Sequence, residues 1–98
     1  MLSKLADVIE SRKGGDSGTS YVASLFNKGT EKMAQKVGEE GVELALAAVT
    51  DGKTVSEAAD LLFHMMILLS DKGFTLDDVA EELAAREGIS GHDEKASR

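Results

Sequence analysis

The sequence is short, acidic and free of cysteine. It has 98 residues, 42% of them hydrophobic, and a formal net charge of −7 at pH 7. A chain of this size buries only a modest core, so we expect one domain over residues 1–98, completed by oligomerisation. The negative charge argues against binding to the backbone of DNA or RNA, which requires a basic face. The absence of cysteine excludes disulfides and zinc–thiolate sites.

No apolar segment is long enough to span a bilayer. The longest, Leu61–Leu69, is interrupted by His64, and the N-terminus lacks the apolar core of a signal peptide. We therefore expect a soluble cytoplasmic protein with no membrane partner. Proline is absent and alanine, leucine, glutamate and lysine are abundant, which favours an all-α fold.

The hydrophobic periodicity predicts a bundle of about five helices and no strand. The third and fourth helices are expected to form an antiparallel hairpin, and residues 88–98 a loosely ordered tail. The predicted helices cover residues 3–13, 20–27, 30–50, 55–71 and 75–87.

Three of the helix starts carry capping signals. Thr30 is predicted to be an N-cap, and Thr54 with Glu57 matches the capping box, in which two side chains bond each other's backbone N–H groups. Thr75 with Asp78 repeats this pattern at the start of the fifth helix.

Acidic residues cluster inside the third and fourth predicted helices. They are Glu39, Glu40 and Glu43 in one, and Glu57 and Asp60 in the other. In an antiparallel hairpin, Glu43 comes level with Asp60, and Glu40 and Glu57 lie about one turn to either side. Ionised carboxylates facing an apolar interior are costly unless a cation compensates them. The pattern therefore favours a site for Mg²⁺, with Mn²⁺ as a substitute.

Two lysines lie on the same arc of the third helix as the acidic residues. Lys32 and Lys36 are one turn apart and are candidates for holding phosphate oxygens. They are equally placed for ion pairs with glutamates one turn away. A carboxylate-bound metal beside lysines is suited to hydrolysing a phosphoanhydride.

The acidic pattern resembles the signature of a known superfamily. Glu39-Glu40-x-x-Glu43 and Glu57-x-x-Asp60, separated by 13 residues, resemble the motif of the all-α nucleoside triphosphate pyrophosphohydrolases, which include the MazG-like enzymes. The strings at residues 20–25 (SYVASL), 36–43 (KVGEEGVE) and 57–64 (EAADLLFH) most closely resemble one member family, phosphoribosyl-ATP pyrophosphohydrolase. The closing residues 94–98 are also similar to that family's tail.

This resemblance implies a reaction and a set of site residues. Water cleaves phosphoribosyl-ATP between its α- and β-phosphates, giving phosphoribosyl-AMP and pyrophosphate with Mg²⁺, the second step of histidine biosynthesis. The implied metal ligands are Glu40, Glu43, Glu57 and Asp60. Glu39 is implied as the base or a ligand of a second metal, and Glu40 is a further catalytic candidate. We expect a stand-alone enzyme, without the cyclohydrolase domain found in some members, that forms a homodimer or higher homo-oligomer.

The remaining candidates would bind the substrate. His64, one turn after Asp60, would contact it or serve as a hydrogen-bonding residue of the core. Ser20 and Tyr21 would line the nucleotide pocket, although Tyr21 also suits the core. Lys95 and Arg98 would hold the additional phosphate or remain solvated.

Two other functional classes are compatible with these residues. A house-cleaning pyrophosphohydrolase would use the same metal site on free nucleotides. A non-enzymatic assembly module would carry the acidic clusters as structural features only.

Overall fold

A computed structural model of the protein describes residues 1–18 and 20–87. This part of the chain contains helices and no strand, which confirms the all-α fold class. Within it, no helix combines the length and the apolar character needed to cross a membrane. The helices are α1 Leu2–Arg12, α2 Tyr21–Lys28, α3 Thr30–Val49, α4 Thr54–Asp71 and α5 Leu76–Glu87.

The packing of α3 against α4 is the most extensive between any two described helices. In the turn that joins them, the Gly52 N–H donates to the Ala47 carbonyl at 2.8 Å. A Cβ atom at Gly52 would lie 3.1 Å from the Cα atom of Ala47, so the close approach favours glycine. At the other end of the pair, the Thr30 hydroxyl donates to the Asp71 carboxylate. The α3–α4 hairpin is therefore tied at both ends.

The core lies at one end of this hairpin. Its most deeply buried side chains come from four helices and are Ile9, Leu25, Met33 and Ile67. Each such burial contributes about 1.5–3 kcal/mol. The core residues of α4, Met66 and Ile67, lie in its second half, where α1 packs against it. Glu57 and Asp60 lie in its first half.

Two of the predicted helix caps are wrong. The N-cap of α3 is Gly29, with φ of 99°, a left-handed backbone that favours glycine; Thr30 is already helical and bonds Asp71 instead. The N-cap of α4 is Lys53, with no capping bond from a side chain. Thr54 is helical there, and the Glu57 N–H donates to the Lys53 carbonyl, so the capping box does not form.

The capping box of α5 is confirmed. The Thr75 N–H donates to the Asp78 carboxylate at 2.9 Å, and the Asp78 N–H donates to the Thr75 hydroxyl at 3.2 Å. Ser20 caps α2 in a similar way, since its hydroxyl accepts from the Ala23 N–H at 3.2 Å. The prediction of a loosely ordered tail over residues 88–98 lies outside the described residues.

Candidate active site

Three carboxylates meet where α3 faces the first half of α4. Glu40, Glu57 and Asp60 each offer an oxygen, and these oxygens lie within 4.8 Å of one another. Glu40 is only 7% exposed, and its Oε2 is buried without a hydrogen-bond partner in the described part of the chain. A buried carboxylate oxygen without a donor is costly, so this oxygen is suited to a cation. We call these three residues the carboxylate cluster.

Glu43 adds a fourth carboxylate beside the cluster. It is exposed, yet it is close enough to affect the buried Glu40 and the half-buried Glu57. Burial raises the pKa of Glu40, and the Glu43 carboxyl raises it further. The same two causes, in the same order, raise the pKa of Glu57. The four carboxyl groups therefore repel one another, and a divalent cation would relieve this repulsion.

Lys36 is the cation that contacts this cluster. Its Nζ lies 3.5 Å from Glu39 Oε1 and 3.8 Å from Glu40 Oε1. Glu39 also accepts from Gln35 Nε2 at 3.2 Å, and this bond, followed by the charge of Lys36, lowers the pKa of Glu39. Lys32 is half-buried one turn earlier and adds to the lowering of the Glu39 pKa. Glu39 thus lies on the lysine side of α3, outside the carboxylate cluster.

His64 connects the cluster to α2. Its Nδ1 lies 2.8 Å from the Asp60 carbonyl oxygen, and its Nε2 lies 2.8 Å from the Tyr21 hydroxyl. A carbonyl only accepts, so Nδ1 carries a proton; in the neutral ring Nε2 then accepts from the Tyr21 O–H. Both nitrogens of this buried ring are therefore engaged within the protein.

The other substrate-binding candidates fall in three places. Tyr21 is half exposed beside His64. The Ser20 hydroxyl is occupied as the N-cap of α2. Lys95 and Arg98 lie outside the described residues.

Sequence reasoning missed two features of the site. Gln35 binds Glu39 from one turn away, and this helical spacing was a usable signal. The bond between Tyr21 and His64 joins residues 43 positions apart, and no local pattern reports such a contact.

An all-α fold in which two helices bring carboxylates together beside a lysine fits the class of all-α nucleoside triphosphate pyrophosphohydrolases that the sequence resembles. The sequence profile of phosphoribosyl-ATP pyrophosphohydrolase matches residues 2–87. The chain belongs to this family.

Individual relatives are similar over nearly the whole chain. A phosphoribosyl-ATP pyrophosphatase of Azorhizobium caulinodans is 52% identical, over 99% of this chain and 91% of the relative. Proteins of the same name from Zymomonas mobilis and Paracoccus denitrificans are each 50% identical, over 99% of this chain and 92% of each relative.

Proposed function

We propose that this protein hydrolyses phosphoribosyl-ATP to phosphoribosyl-AMP and pyrophosphate, a step of histidine biosynthesis in the cytoplasm. The observation that carries the proposal is the carboxylate cluster with its buried, unpartnered Glu40 oxygen, in a chain of this family. The names of the relatives supply the substrate.

The residues of the cluster fit a magnesium ion. All donors are carboxylate oxygens, which are the ligands that Mg²⁺ and Mn²⁺ prefer. Glu40, Glu57 and Asp60 would hold the ion, with Glu43 as the fourth ligand. When bound, the ion neutralises negative charge on the triphosphate and polarises phosphorus.

The neighbouring side chains suit the remaining steps. The hydrogen bond from Gln35 and the charge of Lys36 lower the pKa of Glu39, which favours its carboxylate form. This carboxylate would orient the attacking water or accept its proton, and Glu40 is the second candidate for this role. Lys36, with Lys32 one turn away, would bind non-bridging phosphate oxygens. His64 has both nitrogens engaged, which favours a role in fixing Tyr21 and the Asp60 turn of α4.

We further propose that the working form is a homodimer or higher homo-oligomer. The support is a group of apolar side chains that are more than half exposed at the turn end of the α3–α4 hairpin. We call it the apolar patch, and it consists of Val42, Leu46 and Val49 of α3 and Val55 of α4.

Phosphorus NMR of the products tests the proposed reaction. With phosphoribosyl-ATP and Mg²⁺ we expect pyrophosphate as the sole phosphate product, and much slower cleavage of ATP. Asp60→Asn should abolish turnover and weaken Mg²⁺ binding, because it removes a charged ligand from the cluster. Glu81→Gln, which changes an exposed carboxylate of α5, is the matched control and should leave both unchanged.

Each alternative predicts a different outcome. Equal cleavage of deoxynucleoside triphosphates would favour a house-cleaning pyrophosphohydrolase. Release of orthophosphate as the first product would contradict both pyrophosphohydrolase functions. The absence of any product would favour the non-enzymatic assembly module.

A further inference from the structure

The chain contains four aromatic residues, and only one is exposed beside the carboxylate cluster. Phe26 packs against the core, with Lys13 Nζ 5.4 Å from its ring centroid, and Phe63 is half-buried against the same core. Phe74 is exposed, but its N–H binds the Leu69 carbonyl near the far end of α4. Leu69 lies roughly 13 Å along the helix from Asp60. This leaves Tyr21, which is 48% exposed.

The Tyr21 ring is fixed in place although half of the side chain faces solvent. Its hydroxyl bonds His64 Nε2 at 2.8 Å. Its ring centroid lies 6.4 Å from that of Phe63, with the planes 24° apart, and 5.6 Å from that of His64 in an edge-on arrangement. A rigid, exposed ring loses little conformational entropy when a ligand stacks on it.

The ring lies close to where the triphosphate would bind. The His64 ring that holds Tyr21 also donates from Nδ1 to the backbone carbonyl of Asp60 at 2.8 Å, and the side chain of Asp60 belongs to the carboxylate cluster. The pKa of Tyr21 is raised first by burial, an effect that Lys36 opposes and that Glu40 and Asp60 reinforce. Charges on both helices of the site are therefore within electrostatic reach of the ring.

We propose that the Tyr21 ring is the platform on which the purine base of the substrate stacks. The proposal rests on the proposed function, which requires an adenine nucleotide whose phosphates lie at the carboxylate cluster. The Tyr21 hydroxyl donates its proton to His64, so it is not free to donate to a phosphate. Tyr21 therefore offers the ligand the face of its ring. Every base has a π-face, and stacking on an aromatic side chain contributes substantially to binding.

Substitutions of Tyr21 distinguish the contribution of its ring from that of its hydroxyl. Tyr21→Leu should lower kcat/KM for phosphoribosyl-ATP by roughly tenfold to hundredfold, as expected for the loss of one stacked base. Tyr21→Phe keeps the ring and should retain most of kcat/KM. Phe74→Leu removes the other exposed aromatic side chain and should leave kcat/KM unchanged. Wild-type kcat/KM in Tyr21→Leu, or an equal loss in Tyr21→Phe, would overturn the proposal.

A direct measurement uses the unmodified protein. Tyr21 is the only tyrosine, so ring-labelled tyrosine gives signals from this residue alone. The α,β-methylene analogue of ATP with Mg²⁺ should shift these signals upfield, because a stacked purine shields them. Tripolyphosphate with Mg²⁺ occupies the phosphate site but has no base, so it should not shift the Tyr21 signals upfield. Ring signals that do not respond to the analogue, or that respond equally to both ligands, would contradict base stacking.

These experiments distinguish failure of the proposed function from failure of the stacking proposal. If wild-type protein releases no pyrophosphate from phosphoribosyl-ATP, the proposed function fails. If it releases pyrophosphate while the Tyr21 ring does not respond, only the stacking proposal fails.

Discussion

Glu40 is both the most buried member of the carboxylate cluster and the one with an unpartnered oxygen. Its raised pKa, caused first by burial and then by Glu43, means that the folded state holds a proton on Glu40 more tightly than the unfolded chain does. In metal-free protein, the stability from this group is therefore full at low pH. It is lost as the pH rises from the ordinary carboxyl pKa through the raised one.

In chelator-treated protein, Glu40→Gln should raise the melting temperature by a few degrees, because it removes an uncompensated buried charge. The gain should grow as the pH rises from about 4 to about 7, where wild-type Glu40 must ionise. Thermal melts across this range, with Glu81→Gln as the exposed control, provide the measurement. A gain in melting temperature that shrinks with rising pH would contradict a raised pKa of Glu40 in the folded protein.

The geometry of the cluster could be predicted from helical spacing. Helical spacing predicted that carboxylates of α3 and α4 would converge, and the structure brings Glu40, Glu57 and Asp60 within 4.8 Å. The prediction also placed Glu43 level with Asp60, whereas Glu43 is exposed and is not one of these three. The position of Glu39 could not be predicted in the same way. It is adjacent to Glu40 in the chain, but its carboxylate accepts from Gln35 Nε2 at 3.2 Å and is not one of the three that meet within 4.8 Å.

Among the helices, α5 depends most visibly on its N-terminal cap. None of its residues is buried, so packing contributes little and the reciprocal bonds of Thr75 and Asp78 matter more. Thr75→Ala should lower the free energy of unfolding by about 1 kcal/mol. Thr54→Ala is the matched control, since Thr54 makes no capping bond, and it should change the free energy by less than about 0.5 kcal/mol. Urea unfolding at fixed protein concentration compares the two, and equal losses would contradict the assignment.

The extent of each helix was predictable because glycines and polar turns interrupt the hydrophobic periodicity clearly. The predicted spans agree with the observed helices within one residue at each end. The caps of α3 and α4 were not predictable from the sequence. Thr30 and Thr54 have side chains suited to capping, but each stands one residue after the actual N-cap, which is Gly29 or Lys53. The backbone groups of both threonines are already helical, and Thr30 uses its hydroxyl for a contact with Asp71, 41 residues away.

In the molecule as a whole, the apolar patch is a surface that the packing of a single chain leaves exposed to water. Val49 and Val55 are 79% and 84% exposed beside the turn between α3 and α4. Covering such side chains in an oligomer would remove apolar surface from water. We expect the wild-type protein to sediment as a dimer or larger assembly at micromolar concentration.

Leu46→Lys tests this expectation, because it places a charge in the middle of the apolar patch. It should shift sedimentation towards the monomer and lower the melting temperature. Val8→Lys makes the same kind of change at an exposed position on α1 and should do neither. A wild-type protein that sediments as a folded monomer would contradict the proposed assembly.

The α3–α4 hairpin, tied at Gly52 and between Thr30 and Asp71, limits where the chain can gain or lose residues. One residue inserted in α3 after Glu40, or in α4 before Asp60, would turn the following part of that helix by about 100° and advance it by about 1.5 Å. The carboxylates would then no longer face one another. The chain after α1 begins with Lys13, whose Nζ donates to the Ser70 carbonyl near the C-terminal end of α4, at the opposite end of that helix from Glu57. A residue added beside Lys13 would leave the spacing between Glu40 and Asp60 in the chain unchanged.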